Sequence, residues 1–561
     1  MKRLALLGWL AAVSCGTDVE RVPDVVLVTL DTIVPGRLGC YGGDAPTPNL
    51  DALARRGVVF TEARSVAPIT LPAHASMLTG LVPARHGVRV NGATRLSEDA
   101  ETLAERLRAE GYATAAFVGA EVLDSTYGLD QGFDAYSGPG SASDTSFVMG
   151  ELPAATVVDR ALEWWNTRDA DRPAFLWVHL FDPHMPHVAP EEHVARAGGD
   201  TYGGEIAYAD AELGRLLARV DDDALILFVG DHGEAFGAHG EATHGAFAYD
   251  STLRVPFVVR LPGAARAGER SAANVSVTDV FATVEHTLGL AQRTGLDGLA
   301  VTDAVPDDRG VYFESYYGYS AFGWSPMAGW LAGGWKLIQA PRPELFHVTV
   351  DPLEANDLSR AEPATVAALR ESLRALIDAP ALPVTPIRAG AAHESTLAQL
   401  GYAGGGVDAE TPAYPSPFER EELPSPHTRA SFLGAFSDAQ ALYERGDAQL
   451  AISKLREILT DNSRNHSAQQ LTGLCLMRFQ QWQAAAQAFQ SAMRYREGPW
   501  AGGWLNLAIC FDNLGQQERA LDAYLRSHSI APLPEGVRPR VRALLEHRGR
   551  EGDAERLLGT E

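Results

Sequence analysis

Apolar runs of strand length that stop at an aspartate are the strongest constraint on this chain. Asp24 to Thr29 lies just before Asp31, Phe175 to Phe181 runs into Asp182, and Ala224 to Val229 is followed by Gly230-Asp231. A further run covers Ala113 to Val118. Helical periodicity lies between them, at Asn49 to Arg56 and Glu101 to Arg108. A strand apolar at every position must be covered on both faces. Alternation with helices achieves this as a mostly parallel sheet sandwiched by helices, so this body is expected to be α/β. Such sheets place their sites past the carboxyl ends of the strands. One aspartate there would be an ordinary cap or turn residue. Three, two of them close to a histidine, mark a site.

The 561 residues leave room for more than that body, since domains run to roughly 100–200 residues. Beyond Ser431 the pattern turns helical and repeats. Ala451, Ala485 and Ala520 recur at spacings of 34 and 35, each followed four residues later by Leu455, Phe489 or Tyr524. This resembles the tetratricopeptide repeat, in which paired helices bury their apolar faces only by stacking. The expected organisation is a signal segment over 1–21, a catalytic body over 22–400, a Pro/Gly-rich linker over 401–430 and an all-α repeat domain over 431–561. The repeats are expected to grip a protein or peptide, and their removal to leave hydrolysis of a small ester intact.

Lys2 and Arg3 precede the apolar stretch Leu4 to Val13 and then Ser14-Cys15-Gly16. This is similar to a bacterial lipoprotein signal, cut before Cys15 so that its thiol is lipidated. The expected location is exported, in the periplasm or at the outer membrane or cell surface, with a lipid anchor as the only membrane attachment. Lys plus Arg number 47 against 72 Asp plus Glu, a net charge of −25, which argues against nucleic acid as a partner. Four cysteines exclude a disulfide scaffold.

Chemistry-bearing residues fall in four separated pieces. They are Leu30-Asp31-Thr32, the segment Thr70 to Gly80 with His86-Gly87 and Asn91, Asp182-Pro183-His184 with His187, and Gly230-Asp231-His232-Gly233 with His244. Seven of the sixteen histidines lie between His179 and His244, where ordinary composition would put about two. Adjacent Asp231 and His232 can share a metal only where the backbone turns sharply, which Gly233 permits. Two carboxylates, an imidazole and a hydroxyl oxygen favour Zn²⁺ or Mn²⁺ over Ca²⁺ or Mg²⁺. A divalent metal at the Thr70 oxygen would make it a usable nucleophile. If Thr70 begins a helix, free backbone N–H groups there would help hold an anionic ester oxygen.

From Pro23 to Gly406 the chain resembles the sulfatase family of the alkaline-phosphatase superfamily. The matching pieces are Thr47-Pro48-Asn49-Leu50-Asp51, the Thr70 to Gly80 segment, Asp182-Pro183-His184, Gly230-Asp231-His232-Gly233, Leu253-Arg254-Val255-Pro256 and Trp335-Lys336-Leu337-Ile338. The resemblance implies an active-site divalent metal and hydrolysis or transfer of sulfate or phosphate esters. Sulfatases carry Cys or Ser before x-Pro-x-Arg and convert it to formylglycine. Here the segment reads Thr70-Leu71-Pro72-Ala73-His74, and threonine cannot become that aldehyde. The pattern Thr70-x-Pro72-x-His74 with His86-Gly87 and Asn91 is instead similar to the threonine-nucleophile phosphodiesterases of the superfamily.

The resemblance then implies a metal held by Asp31, Thr70, Asp231 and His232. Thr70 is the implied nucleophile, and Asn91 a donor to the ester oxygen. His184 and Lys336 are expected to neutralise nonbridging oxygens or assist the leaving group, and His74 to brace the nucleophile segment. Whether Asp182, His187 and His244 hold a second metal is open. The expected substrate is a small-molecule, glycan or lipid ester. The competing readings are a phosphodiesterase or phosphotransferase of the same superfamily, and a catalytically dead scaffold acting through its repeats.

Overall fold

The computed structural model describes residues 22–139, 151–387, 414–496 and 500–558. The signal segment with Cys15, and residues 388–413 of the expected catalytic body and linker, lie outside the described residues.

Strand β1 (Val25–Leu30) is buried along its whole length. Val25 and Leu27 enter one core, and Val26, Val28 and Leu30 the other. Alternate side chains of a strand point to opposite faces, so this division means that both faces of the sheet are covered. The further strands are β2 (Val58–Arg64), β3 (Thr94–Arg95), β4 (Ala113–Val118), β5 (Ala135–Ser137), β6 (Ala174–Leu180), β7 (Leu225–Gly230), β8 (Phe257–Arg260) and β9 (Glu269–Ser276). The main sheet runs β5-β4-β6-β1-β7-β8-β2-β9. All its pairs are parallel except those made by β8, which opposes both neighbours. It is the α/β sandwich that the alternation implied. β1 lies between β6 and β7, with Leu30 level with Leu180 and Gly230. The chain ends carrying Asp31, Asp182 and Asp231 therefore leave the sheet side by side.

A second, antiparallel sheet is formed by β10 (Val311–Ser315), β11 (Met327–Ala332), β12 (Trp335–Gln339) and β13 (Glu344–His347). The helix Pro363–Ile377 covers it through Val366 and Leu369 against Leu337 and Leu345. β14 (Thr385–Pro386) pairs with β3. Of the stretch expected as linker, residues 414–430 are described and lie against the α/β body. Tyr316 donates its hydroxyl to Pro415 O at 2.9 Å, Ser325 N–H reaches Pro424 O, and Arg374 stacks on Phe418 at 4.3 Å.

The C-terminal region is helical and paired. Ala430–Glu444 is followed by Ala448–Asp461, His466–Arg478 by Trp482–Tyr495, Ala501–Asn513 by Gln517–Ile530, and Arg538–Glu546 by Glu551–Leu558. Ala451, Ala485 and Ala520 are fully buried, as are Leu455 and Phe489, with Tyr524 nearly so. The small residues admit the large ones: at Gly473 a Cβ would meet the Phe489 ring at 2.8 Å. This is the arrangement of a helical repeat domain. The domain is not free of the catalytic body, because Phe432, Leu433 and Phe436 pack onto Phe322 and its neighbours in one apolar cluster. Removal of the repeats would bare that cluster to water. No helix among the described residues is long and apolar enough to cross a membrane.

Replacing Phe489 by Ala should leave a cavity and cost about 3–5 kcal/mol in the repeat domain. Chemical denaturation followed by far-ultraviolet circular dichroism reads this as an earlier loss of helix.

Candidate active site

The site begins with backbone hydrogen bonds at the ends of three adjacent strands. Asp31 N–H donates to Leu180 O at 3.1 Å, and Asp231 N–H to Leu30 O at 3.3 Å. These bonds turn both carboxyl groups into the space above β1. Asp31, Asp231 and His232 offer ligand atoms that all lie within 4.8 Å of one another, and all three residues are fully buried. His232 Nε2 is 3.4 Å from Asp31 Oδ1 and 3.5 Å from Asp231 Oδ2.

The orientation of His232 follows from its other nitrogen. Nδ1–H donates to Gly233 O at 3.1 Å, so Nε2 presents a lone pair to the carboxylates. Burial keeps that ring well below its ordinary pKa and therefore neutral. Gly233 serves by close approach rather than by unusual torsion. A Cβ there would meet Ser251 O at 2.8 Å, and its φ is not among the left-handed ones.

Both oxygens of Asp31 and Oδ2 of Asp231 are buried without a hydrogen-bond partner. Burial pushes both carboxyls above the usual range, and the Asp31 charge adds to the lift at Asp231. Unpartnered acceptors facing a lone-pair nitrogen in a dry pocket have no stable charge balance by themselves. A divalent cation supplies it, and two carboxylate oxygens, one imidazole and a hydroxyl are a chemically suitable set.

That hydroxyl belongs to Thr70, the first residue of the helix Thr70–Thr79, with Oγ1 3.3 Å from His232 Nε2. His74, one turn on, braces it: Nδ1–H donates to Thr70 O at 2.8 Å and Nε2 lies 2.9 Å from Thr29 Oγ1. Burial pulls the His74 pKa down to about 3, with neighbouring His179 contributing, so this ring too is neutral. Asn91 Oδ1 accepts from Leu71 N–H at 3.0 Å, which leaves Nδ2 buried and unpartnered. At the helix start the expected N–H groups are used in part. Leu71 N–H is spent on Asn91, Pro72 has none, and the Asn91 amide is a further buried donor there.

His184 and His244 lie beside this centre. The His184 ring sits between Phe181, at 4.5 Å, and His244, at 5.2 Å. His244 in turn covers His232 at 4.5 Å. Burial pulls the His184 pKa down to about 4 against the opposing Asp31 charge. At His244 burial also pulls downward, but the surrounding carboxylates, Glu234 at 3.2 Å with Asp31 and Glu241, together raise the ring above its ordinary value.

Three expected residues go elsewhere. Asp182 Oδ2 accepts from Ala154 N–H at 2.8 Å, at the start of the helix Ala154–Thr167. His187 Nδ1 is 2.8 Å from Glu205 Oε2. With His244 committed to Glu234, the trio Asp182, His187 and His244 does not converge. Among the described residues the group with metal-binding spacing is Asp31, Asp231 and His232. Lys336, expected at the ester oxygens, is fully buried with its ammonium 2.7 Å from Asp250 Oδ1 and 2.6 Å from Glu354 Oε1. Arg64 binds the same Asp250 at 2.7 Å. These cations together hold the Asp250 carboxyl far below its usual range despite burial.

Sequence reasoning missed Thr29 and His179. His179 Nδ1 is 3.0 Å from Thr29 Oγ1, and its Nε2 is 3.5 Å from Asp31 Oδ2. An imidazole inside the otherwise apolar run of β6 was the available signal.

This geometry can now be set beside known proteins. Residues 23–290 match the sulfatase family. An ulvan-active sulfatase of Formosa agariphila is 29% identical over 325 residues, covering 47% of this chain and 62% of that protein. The chain thus spans about six-tenths of that relative's length. A structure bound to its substrate D-glucosamine-2-N,6-O-disulfate superposes with a TM-score of 0.56 at 18% identity, over 64% of this chain and 98% of that one. A phosphonate monoester hydrolase of Agrobacterium radiobacter gives 0.53 at 22%, over 63% and 95%. The likeness to sulfatases in sequence thus covers residues 23–290, a little under half of the chain, and the solved structures share its α/β fold. The helix that begins at Thr70 lies within the matched residues.

Two outcomes follow. Lys336→Ala leaves Asp250 and Glu354 short of a cation and should destabilise the fold by about 3 kcal/mol, read as a lower denaturation midpoint with metal content unchanged. Asp231→Asn should reverse sign with metal. Without divalent ions the variant melts higher than wild type, because a buried like-charge pair is relieved. With Zn²⁺ or Mn²⁺ it melts lower, because linked binding is lost.

Proposed function

We propose that the chain is an exported, metal-dependent ester hydrolase of the sulfatase type that uses Thr70 in place of formylglycine. The observation that carries this reading is the Thr70 hydroxyl at a helix start, 3.3 Å from His232 Nε2 and beside the unpartnered oxygens of Asp31 and Asp231. A divalent ion bound by Asp31, Asp231, His232 and Thr70 would lower the hydroxyl pKa and draw charge from an ester oxygen. Thr70 Oγ1 attacks sulfur or phosphorus, the alcohol oxygen leaves from the opposite side, and water then cleaves the sulfo- or phosphothreonine. Asn91 Nδ2 donates to a nonbridging oxygen, its geometry fixed by the bond from Leu71 N–H. His244, kept towards its protonated form by Glu234, is placed to supply a proton to the leaving oxygen. His184 lines the same wall.

The charges of the site favour a monoanionic ester. Lys336, Arg64 and Arg89 are the buried cations of the surrounding framework, and each is committed to a carboxylate: Asp250 and Glu354, Asp250, and Glu314 respectively. None of these three cations is therefore free for a second negative charge on the substrate. Sulfate monoesters, phosphodiesters and phosphonate monoesters carry one charge, and phosphate monoesters approach two. The fold likeness to a phosphonate monoester hydrolase supports keeping the phosphorus esters in view, as phosphodiesterase or phosphotransferase chemistry. Cys15 is the proposed lipid anchor, and the repeats are proposed to be of the tetratricopeptide type and to engage a protein or peptide.

The test is a panel of aryl esters on protein loaded with Zn²⁺ or Mn²⁺. Thr70→Ala should lose about a thousandfold or more in kcat with the fold retained, and Thr70→Ser should keep part of it. Aryl sulfate, diester or phosphonate should outrun aryl phosphate monoester in kcat/KM. Equal turnover by Thr70→Ala and wild type would sink the reading.

A further inference from the structure

The six-residue helix Tyr317–Phe322 belongs to the catalytic body, but the repeat body closes its end. A helix leaves its last carbonyls without intrahelical donors. Here Ser320 O accepts from His466 Nε2, Ala321 O from Ser467 Oγ at 2.6 Å, and Phe322 O from Asn462 Nδ2 at 2.8 Å. All three donors are buried, and all come from the junction between the helices Ala448–Asp461 and His466–Arg478. The bodies also touch through backbone. A Cβ on Gly323 would meet Arg464 O at 3.1 Å.

The other end of the same helix faces the catalytic centre. At Gly245 a Cβ would meet the Tyr317 ring at 3.5 Å and Ile69, the residue before Thr70, at 3.3 Å. Ser315 Oγ donates to Gly245 O at 2.5 Å. Gly245 directly follows His244, the ring that covers His232. Earlier in the same loop, a Cβ on Gly240 would meet Ala430 of the first repeat helix at 2.8 Å. The segment carrying His244 is thus wedged twice by the repeat body, once directly and once through the Tyr317–Phe322 helix.

We propose that the repeat body is part of the frame of the active site, with Asn462, His466 and Ser467 as positioning residues. They set the Tyr317–Phe322 helix, which through Gly245 sets His244 over His232 and Ile69 behind Thr70. The catalytic use of His244 rests on the hydrolase reading; the mechanical link does not.

The test uses full-length protein. His466→Ala should slow kcat on an aryl ester about tenfold, the scale of one lost buried hydrogen bond with its unpaired carbonyl, while KM and bound metal stay close to wild type. Amide hydrogen exchange over residues 241–247 should quicken in the same variant. His466→Gln, whose side-chain amide donates from nearly the same place, should restore most of both. Leu545→Ala, which loosens packing at the far end of the repeats, should lower the melting temperature and move neither. Asn462→Ala with Ser467→Ala provides a second variant should His466→Ala not fold. Unchanged exchange over 241–247 in the folded junction variants overturns the proposal. That readout needs no turnover, so a wild-type chain inactive on every ester would defeat the hydrolase reading alone.

Discussion

The confinement of Asp31 and Asp231 in one buried pocket is the interaction on which the rest of the site depends. Two carboxylates a few ångströms apart repel by about 4 kcal/mol at the effective dielectric of a protein site. Neither has a cationic side chain bound to its unpartnered oxygens. The fold brings their backbones together through the parallel order β6-β1-β7. A bound cation turns this liability into a site. Around it stand imidazoles that burial keeps neutral, His232, His74 and His179, which add ligand or bracing capacity without adding competing positive charge.

Positive charge in the framework is used for construction. Arg64 and Lys336 lock Asp250 and so tie β2 and β12 to the short helix after the His244 loop. Arg89, two residues before Asn91, is stacked on Tyr316 at 4.4 Å and paired with Glu314 at 3.2 Å. The buried cations behind Thr70 are therefore paired within the scaffold. On the proposed reading, charge for a substrate would come from a bound cation and from the Glu234–His244 pair. This division links architecture to the expected preference for singly charged esters.

The parts of the site legible in the sequence were those encoded by neighbours along the chain. Strand runs ending in Asp31 and Asp231, the adjacent His232-Gly233, and Thr70 at the head of a helical segment all carry their geometry locally. Lys336 misled because its partners Asp250 and Glu354 are brought to it by tertiary packing, and nothing around Trp335-Lys336-Leu337 signals them. Asp182 looked like a ligand by its place past β6, yet the preceding crossover offers it a helix start at Ala154. The 34-residue period exposed the repeats. Their docking was hidden, because it lies in the match between three side chains of one turn and three carbonyls of a distant helix.

The most direct measurement is the covalent state of Thr70 during turnover. Metal-loaded protein mixed with an aryl sulfate or a phosphorus ester is quenched in acid within the first turnovers, digested, and the peptide containing Thr70 weighed by mass spectrometry. The account predicts a sulfuryl or phosphoryl group on Thr70, absent when the divalent ion is withheld. Steady turnover with Thr70 unmodified and the group found on another residue, or on none, would contradict it.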